Sequence, residues 1–489
     1  MQRSGGMTPD EGADISIDAN GNTYTTGYFT GLATFGTTTL NSSGVTDIFI
    51  TKLDNFGLFQ WAIKAGGASS DRGLSIKADA QGNSYITGFY YGTATFGSQT
   101  ITSTGLQDLF IAKYDNAGVL QWVKSAGGTE TDIGNGINID NSGNVVVTGE
   151  FKGTAAFGSF SLTSKYNSID VFTTKLDGNG NFLWAKKGSA HLTDKGIDVA
   201  CDPSGNIYVT GQFTDTITFD VTHINNMYNV IFLIKYNSSG QEQWFKKIGG
   251  GSFNISSGIA VDANANIYLT GDFTGNLIFF GTTNTTLTNA YANKIFVAKY
   301  DSGGNLLWTH ADGSSGEFTS KNIALDAAGN AYVVGNFKCI LNEYADKYGQ
   351  GTFNSVGFWD IFVSKYNAGG AWQWSRQCAS VADDYGAGIT VNNTGEAHIT
   401  GSFYEWMRFP SSTNFLGYKT TGIYGQNTFC NDPDYSTYHQ FHSDGSSDIL
   451  IAKNFNPLKE PYDYYLRTGS GCNKPYIGVC IPNDIYMQN

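Results

Sequence analysis

Short segments in which apolar and polar residues alternate recur along the whole chain. Typical examples are Ser84-Tyr-Ile-Thr-Gly88 and Asp108-Leu-Phe-Ile-Ala-Lys113, which are rich in β-branched and aromatic residues. Such segments favour β-strands. Turn-forming residues separate them, as in Asp79-Ala-Gln-Gly82-Asn83, because Asp, Gly and Asn adopt the backbone conformations of a tight hairpin. Helical periodicity is not evident, and the pattern predicts an all-β chain of short antiparallel strands.

These strands are organised in a unit of about 60 residues that occurs seven times. Each unit contains four predicted strands, a to d, and three columns of identical residues mark the copies. The glycine column ends strand b and holds Gly27, Gly88, Gly149, Gly211, Gly271, Gly335 and Gly401. The lysine column lies in strand c and holds Lys52, Lys113, Lys175, Lys235, Lys299, Lys365 and Lys453. The tryptophan column lies in strand d and holds Trp61, Trp122, Trp184, Trp244, Trp308 and Trp374.

A repeat of this size is typical of proteins in which each unit packs on its neighbours. We therefore predict a seven-bladed β-propeller of four-stranded antiparallel blades over residues 1–456. Unit 7 carries an insertion at about 404–447 between strands b and c, and unit 6 has a smaller expansion there. Residues 457–489 form a C-terminal tail that contains a ring-closing strand candidate. Residues 1–6 are the other candidate, and because they match the end of a strand d we expect the chain to be part of a longer exported precursor.

Three motifs resemble a known family. They are the Asp-x-x-Gly-Asn-x-Tyr-x-Thr-Gly hairpin, the Asp-x-Phe-x-x-Lys-Tyr-Asp strand and the Gly-x-x-x-Trp strand. The chain resembles the bacterial SBBP (seven-bladed β-propeller) repeat proteins in these motifs. The resemblance implies a secreted or cell-surface, adhesin-like protein, and it implies no catalytic residues.

Composition and charge exclude several kinds of partner. The net charge is −13, so a phosphate backbone would be repelled and nucleic acid is not an expected partner. The sequence contains no apolar run of the roughly 20 residues that a membrane-spanning helix needs. Among six cysteines, Cys472 and Cys480 bracket a short proline-containing loop, and we predict a disulfide there, with free buried thiols as the alternative.

An aspartate column precedes strand a in five units and holds Asp10, Asp71, Asp132, Asp194 and Asp384. In a propeller this connection opens onto one mouth of the central channel. Carboxylates there would concentrate cations, so we predict a Ca²⁺ site at this mouth. The alternative is an Asx-type turn in which each carboxylate accepts backbone N–H groups. For the lysine column we expect pairing with carboxylates or carbonyl groups between blades, and for the Asp-x-x-Gly-Asn segments ordinary hairpin turns.

The expanded connections of units 6 and 7 depart most from the repeat. They carry aromatic residues that suit a binding surface, because tyrosine and tryptophan bring contact area at low entropic cost. The predicted binding residues are Tyr344, Tyr348, Trp406, Tyr424, Tyr435 and Tyr438. The resulting hypothesis is a non-enzymatic, extracellular or cell-surface binding or scaffold module for a protein of a surface assembly or a glycan. The alternative hypothesis is a hydrolase or lyase with its site at a channel mouth.

Overall fold

The computed structural model describes residues 2–453 apart from 190, 226–228, 252, 290–292, 313–315, 339–354, 356–357, 381, 405, 410–438 and 443–446. Within these residues the chain consists of strands, turns and one short 3-10 helix, Lys165–Asn167. None of the described helices is long and apolar enough to cross a membrane.

The first half of the chain contains the N-terminal strand and units 1 to 3. The N-terminal strand is β1 (Gln2–Gly6). Unit 1 contains β2 (Glu11–Ile17), β3 (Thr23–Phe29), β4 (Leu32–Phe35), β5 (Thr38–Asn41), β6 (Asp47–Leu53) and β7 (Phe59–Gly67). Unit 2 contains β8 (Arg72–Ala78), β9 (Ser84–Phe96), β10 (Gln99–Tyr114) and β11 (Leu120–Gly128). Unit 3 contains β12 (Asp132–Ile139), β13 (Val145–Lys152), β14 (Thr154–Phe157), β15 (Phe160–Thr163), β16 (Ile169–Leu176) and β17 (Phe182–Gly188).

The second half of the chain contains units 4 to 7. Unit 4 contains β18 (Lys195–Cys201), β19 (Ile207–Phe213), β20 (Thr216–Thr218), β21 (His223–Asn225), β22 (Val230–Tyr236) and β23 (Glu242–Gly249). Unit 5 contains β24 (Phe253–Val261), β25 (Ile267–Thr274), β26 (Asn276–Phe279), β27 (Thr285–Thr288), β28 (Lys294–Tyr300) and β29 (Leu306–Asp312). Unit 6 contains β30 (Glu317–Leu325), β31 (Ala331–Lys338), β32 (Asp360–Tyr366) and β33 (Trp372–Cys378). Unit 7 contains β34 (Asp384–Val391), β35 (Ala397–Phe403), β36 (Trp406–Phe409), β37 (His439–His442) and β38 (Asp448–Lys453).

Each unit is a four-stranded antiparallel meander in the order a-b-c-d, as in β12-β13-β16-β17. The seven innermost strands contact one another in sequence order, and β34 contacts β2, so the units close into a propeller. Unit 7 has no strand d after β38 among the described residues. Its fourth strand is β1, which pairs antiparallel with β38 in the register Gln2↔Ile451. Of the two ring-closing candidates, the N-terminal one therefore has a defined partner.

The predicted division into seven separate blades is wrong. Among the described residues, five sheets of four to six strands stand as separate blades, and units 1 and 2 are instead fused in one ten-stranded sheet. The cause is β9, which continues without a break from strand b into the outer excursion and pairs with β8, β10 and β7. The all-β propeller class and the four-stranded antiparallel units are as predicted.

The outer excursions explain why some sheets have more than four strands. Each described excursion forms a hairpin that bonds to strand d of the preceding unit, as β4 does to β1, β14 to β11 and β26 to β23. The hairpin of unit 4 makes only a single bridge, Ser189↔Thr218, to the end of unit 3. Neighbouring units are therefore joined by backbone hydrogen bonds as well as by packing.

The tryptophan column lies at the junctions between units, as predicted. Each indole N–H donates to a backbone carbonyl in the c-d turn of the next unit: Trp61 to Asn116 at 3.1 Å, Trp122 to Gly178 at 3.1 Å, Trp184 to Ser238 at 3.4 Å, Trp244 to Ser302 at 3.2 Å and Trp308 to Ala368 at 3.2 Å. Only Trp122 and Trp184 are buried, and the other four are half-buried. The prediction that all of them are largely buried was too strong.

Candidate functional site

Two faces of the propeller follow from the antiparallel order of each unit. Strands a and c begin, and strands b and d end, at the same side of the ring. All d-to-a and b-to-c connections therefore lie on one face, which we call the loop face. The a-b and c-d turns lie on the opposite turn face. On the turn face the aspartates of the Asp-x-x-Gly-Asn segments accept the backbone N–H groups of their own turns, as Asp79 does from Gln81 at 3.0 Å and from Asn83 at 2.9 Å.

Large apolar side chains are exposed on the loop face. Val45, Leu106 and Phe358 occupy the same repeat position, two residues before strand c, and Val45 and Phe358 are 69% and 67% exposed. The exposed residues in the connections of this face are Met7, Leu32, Val45, Leu106, Tyr166, Leu192, Phe253 and Phe358. An apolar surface carried by loops on a rigid sheet scaffold suits protein recognition.

The lysine column has a structural role at the junctions. Lys175 Nζ lies 2.8 Å from Asp140 Oδ2, and both side chains are almost fully buried. The same amine donates to the Ser238 carbonyl of the next unit at 3.2 Å. Lys235 and Lys299 make the equivalent bonds to Ser302 and Ala368. The column therefore joins neighbouring units and does not form a free cationic ring.

The aspartate column does not line an open mouth. Asp10, Asp71, Asp132, Asp194 and Asp384 are all fully buried at the junctions beneath the loop face. Each accepts backbone N–H groups, as Asp71 does from Gly67 at 2.7 Å and from Tyr91 at 2.9 Å. This is the geometry of the Asx-type alternative. In the part of the chain that the structure describes, no group of three acidic, histidine or cysteine side chains could hold a metal. The Ca²⁺ site stays a prediction.

A central cavity of about 320 Å³ lies between the inner strands of all seven units. Its charged lining residues are Asp14, Asp198, Lys195 and Lys321. Asp14 accepts the N–H of Ile76 at 2.9 Å, and Asp198 accepts that of Ile259 at 3.0 Å, so each carboxylate ties one unit to the next. Burial raises the pKa of Asp198 to about 7 and also raises the pKa of Asp14.

The sequence did contain a signal for these two channel carboxylates. Four residues after the aspartate column, the seven units carry Asp14, Ser75, Gly136, Asp198, Gly258, Asn322 and Gly388. Only two units have an acid at this position, and such a departure within a repeat is what our column-by-column comparison overlooked.

Most of the predicted binding residues lie outside the described residues. These are Tyr344, Tyr348, Tyr424, Tyr435 and Tyr438, and the cysteines Cys472 and Cys480 lie there too. Trp406 begins β36, whose backbone pairs with β37 and lies against β33. The insertion of unit 7 therefore starts and ends as an outer hairpin of the regular kind. The described cysteines, Cys201 and Cys378, are free thiols.

Comparisons with known proteins show a repeat relative and no family. No sequence model of a known family matches the chain. An uncharacterized WD repeat-containing protein, L264 of Acanthamoeba polyphaga mimivirus, is 27% identical over 394 residues, which cover 63% of this chain. The chain spans only 28% of that protein's length. The resemblance to SBBP proteins therefore continues to rest on the three motifs.

Solved structures add little to this. A protein of unknown function from Bacteroides caccae matches 62% of this chain and 83% of its own length, with a TM-score of 0.30 and 11% identity. A puromycin hydrolase matches 81% of this chain and 58% of its own length, with a TM-score of 0.34 and 8% identity. At these TM-scores neither structure supports an argument about function.

Proposed function

We propose that the chain is a non-enzymatic binding module whose partner is a protein that contacts the loop face. The observation that carries this proposal is the set of exposed apolar side chains in the loop-face connections, above all the column of Val45, Leu106 and Phe358. Surface residues of this size serve protein contacts when they gather on one face. The name of the viral relative, a WD repeat-containing protein, is in keeping with a repeat scaffold.

The same proposal assigns the insertion of unit 7 to the partner surface. β36 and β37 keep the regular hairpin position, so residues 410–438 are an addition at its tip. We place this binding outside the cell, in a longer exported protein, on the strength of the sequence motifs. A catalytic role for the central cavity is less well supported, because Asp14 and Asp198 already bond to backbone N–H groups that join the units.

Photo-crosslinking in the organism that makes the protein tests the proposal. A photoreactive phenylalanine analogue at Val45 or at Phe358 should give adducts with a partner protein. The matched control is Val119, which is 58% exposed but lies in a c-d turn on the opposite face. We expect adducts from the loop face and few from Val119. Equal labelling from both faces, or adducts from Val119 alone, would contradict the proposal.

Deletion of residues 410–438 tests the role of the insertion separately. The variant keeps both strands of the hairpin base, so we expect its unfolding midpoint to stay close to that of the parent. If the insertion contributes to binding, adducts from Phe358 should become weaker. Unchanged crosslinking would limit the partner surface to the remaining loops.

A further inference from the structure

Two aspartate columns change together around the ring. The first residues of strand c are Asp47, Asp108, Asp170, Val230, Lys294, Asp360 and Asp448. The facing residues at the start of the next unit are, in the same order, Asp71, Asp132, Asp194, Asn254, Phe318, Asp384 and Asp10. Five junctions therefore carry two carboxyl groups and the other two carry none. We call the five combinations the acidic pairs.

The junction between units 2 and 3 shows how close the two groups of a pair are. A Cβ atom on Gly127 would lie 2.6 Å from Asp108 Oδ1 and 2.8 Å from Asp132 Oδ2, so both oxygens converge on the same point. Both aspartates are almost completely buried. Gly66 shows the same convergence of Asp47 Oδ1 and Asp71 Oδ2, at 2.8 Å and 2.9 Å. The absence of a side chain at these glycines leaves the room in which the carboxyl groups meet.

Backbone donors satisfy three of the four oxygens in this pair. Asp132 accepts the N–H groups of Gly128 at 2.7 Å and of Lys152 at 3.3 Å, and Asp108 Oδ2 accepts that of Thr104 at 3.0 Å. Asp108 Oδ1 has no hydrogen-bond partner. Asp47 Oδ1 is without a partner at the equivalent position. The oxygen that lacks a donor is in each case the one that faces the second carboxyl group.

We propose that each acidic pair shares one proton in the folded protein near neutral pH, and that this proton joins neighbouring units at five of the seven junctions. Two buried carboxylates this close repel each other, and one proton removes the repulsion. The charges support the same conclusion. Burial, followed by smaller effects that include the second carboxylate, raises the pKa of Asp10 and of Asp132 to about 7 and that of Asp71 to about 6.

A divalent cation would be the other way to neutralise a pair, and the contacts do not favour it. Ca²⁺ needs six to eight oxygen ligands. No third acidic, histidine or cysteine side chain joins any pair among the described residues. The oxygens instead face N–H groups, which repel a cation.

The sign of the pH effect follows from the raised pKa values. An aspartate in the unfolded chain has a pKa of about 3.9, so the folded protein holds more protons than the unfolded chain above this pH. The stabilisation is complete below the unfolded pKa and is lost as the pH rises through the folded values. The unfolding equilibrium constant should therefore increase by up to tenfold per pH unit for each shared proton.

Asp108→Asn is the direct test, because its amide can donate to Asp132 without a titrating proton. Other titratable groups near this pair are Glu130, held by Lys152 at 3.3 Å, and Tyr90, whose hydroxyl meets Ser125 Oγ at 2.7 Å. Urea unfolding from about pH 5 to about pH 8 should show the parent losing stability with rising pH. The variant should lose up to a factor of ten per pH unit of that dependence.

Asp115→Asn is the matched control, because it removes one carboxylate from an exposed c-d turn and should leave the pH dependence unchanged. Asp47→Asn at the next junction replaces the first variant if that one does not fold. The proposal is wrong if the parent's stability does not fall over this range, or if the Asn variant keeps the full pH dependence. It is also wrong if Ca²⁺ raises the unfolding midpoint of the parent but not of Asp108→Asn, since the pair would then be a cation site.

Discussion

Single side chains at the junctions carry much of the fold. Trp184 is 9% exposed, packs against Tyr236 with ring centroids 6.3 Å apart and donates its N–H to the next unit. Removing it leaves a cavity and an unpaired carbonyl between two units. Trp184→Ala should therefore lower the free energy of unfolding by about 3–5 kcal/mol in chemical denaturation. Leu183→Ala is the control, because that neighbour in the same strand is 45% exposed. A similar loss for both variants would refute the junction role of the tryptophan.

The end of strand d has a backbone requirement of its own. Gly127, near the end of β11, has a φ of +150°, and an added Cβ would collide with the acidic pair. Gly127→Ala should cost more than Gly143→Ala, which has a φ of +78° but nothing within 4 Å of its Cβ position. For Gly143→Ala we expect only the backbone cost of about 1–2 kcal/mol. Thermal or urea unfolding would measure the difference, and equal losses would show that the carboxyl groups yield easily.

The sequence predicted elements well and their joining less well. Strand positions and turns followed from alternation and from Asp, Gly and Asn, because both are local. The fusion of units 1 and 2 was missed, because whether β9 bends or continues depends on its pairing with β7 of the preceding unit. Both aspartate columns were visible, but their meeting was not. An aspartate of strand c faces the next unit, and only the closed ring shows which residues become neighbours.

At the scale of the whole molecule, ring closure depends on the N-terminal strand. β1 pairs with β38 on one side and with β4 on the other. Deleting residues 2–6 would leave both strands with unpaired edges, and free edges recruit other strands. We expect a lower unfolding midpoint and concentration-dependent association, measured by light scattering after gel filtration. A peptide of residues 1–8 added in trans should restore the monomer. A deletion variant that stays monomeric with an unchanged midpoint would contradict this role for β1.

The pairing of β1 with β38 also has a mechanical consequence. The two strands are antiparallel, and Gln2 lies opposite Ile451 near the outer ends of both. If tension acts on the chain at both ends of the propeller, it pulls these two residues apart first. The backbone hydrogen bonds then carry the load one after another, as in a zip, and not all together, as in shear. Under force the propeller should therefore open at this one seam while the junctions between the other units remain closed.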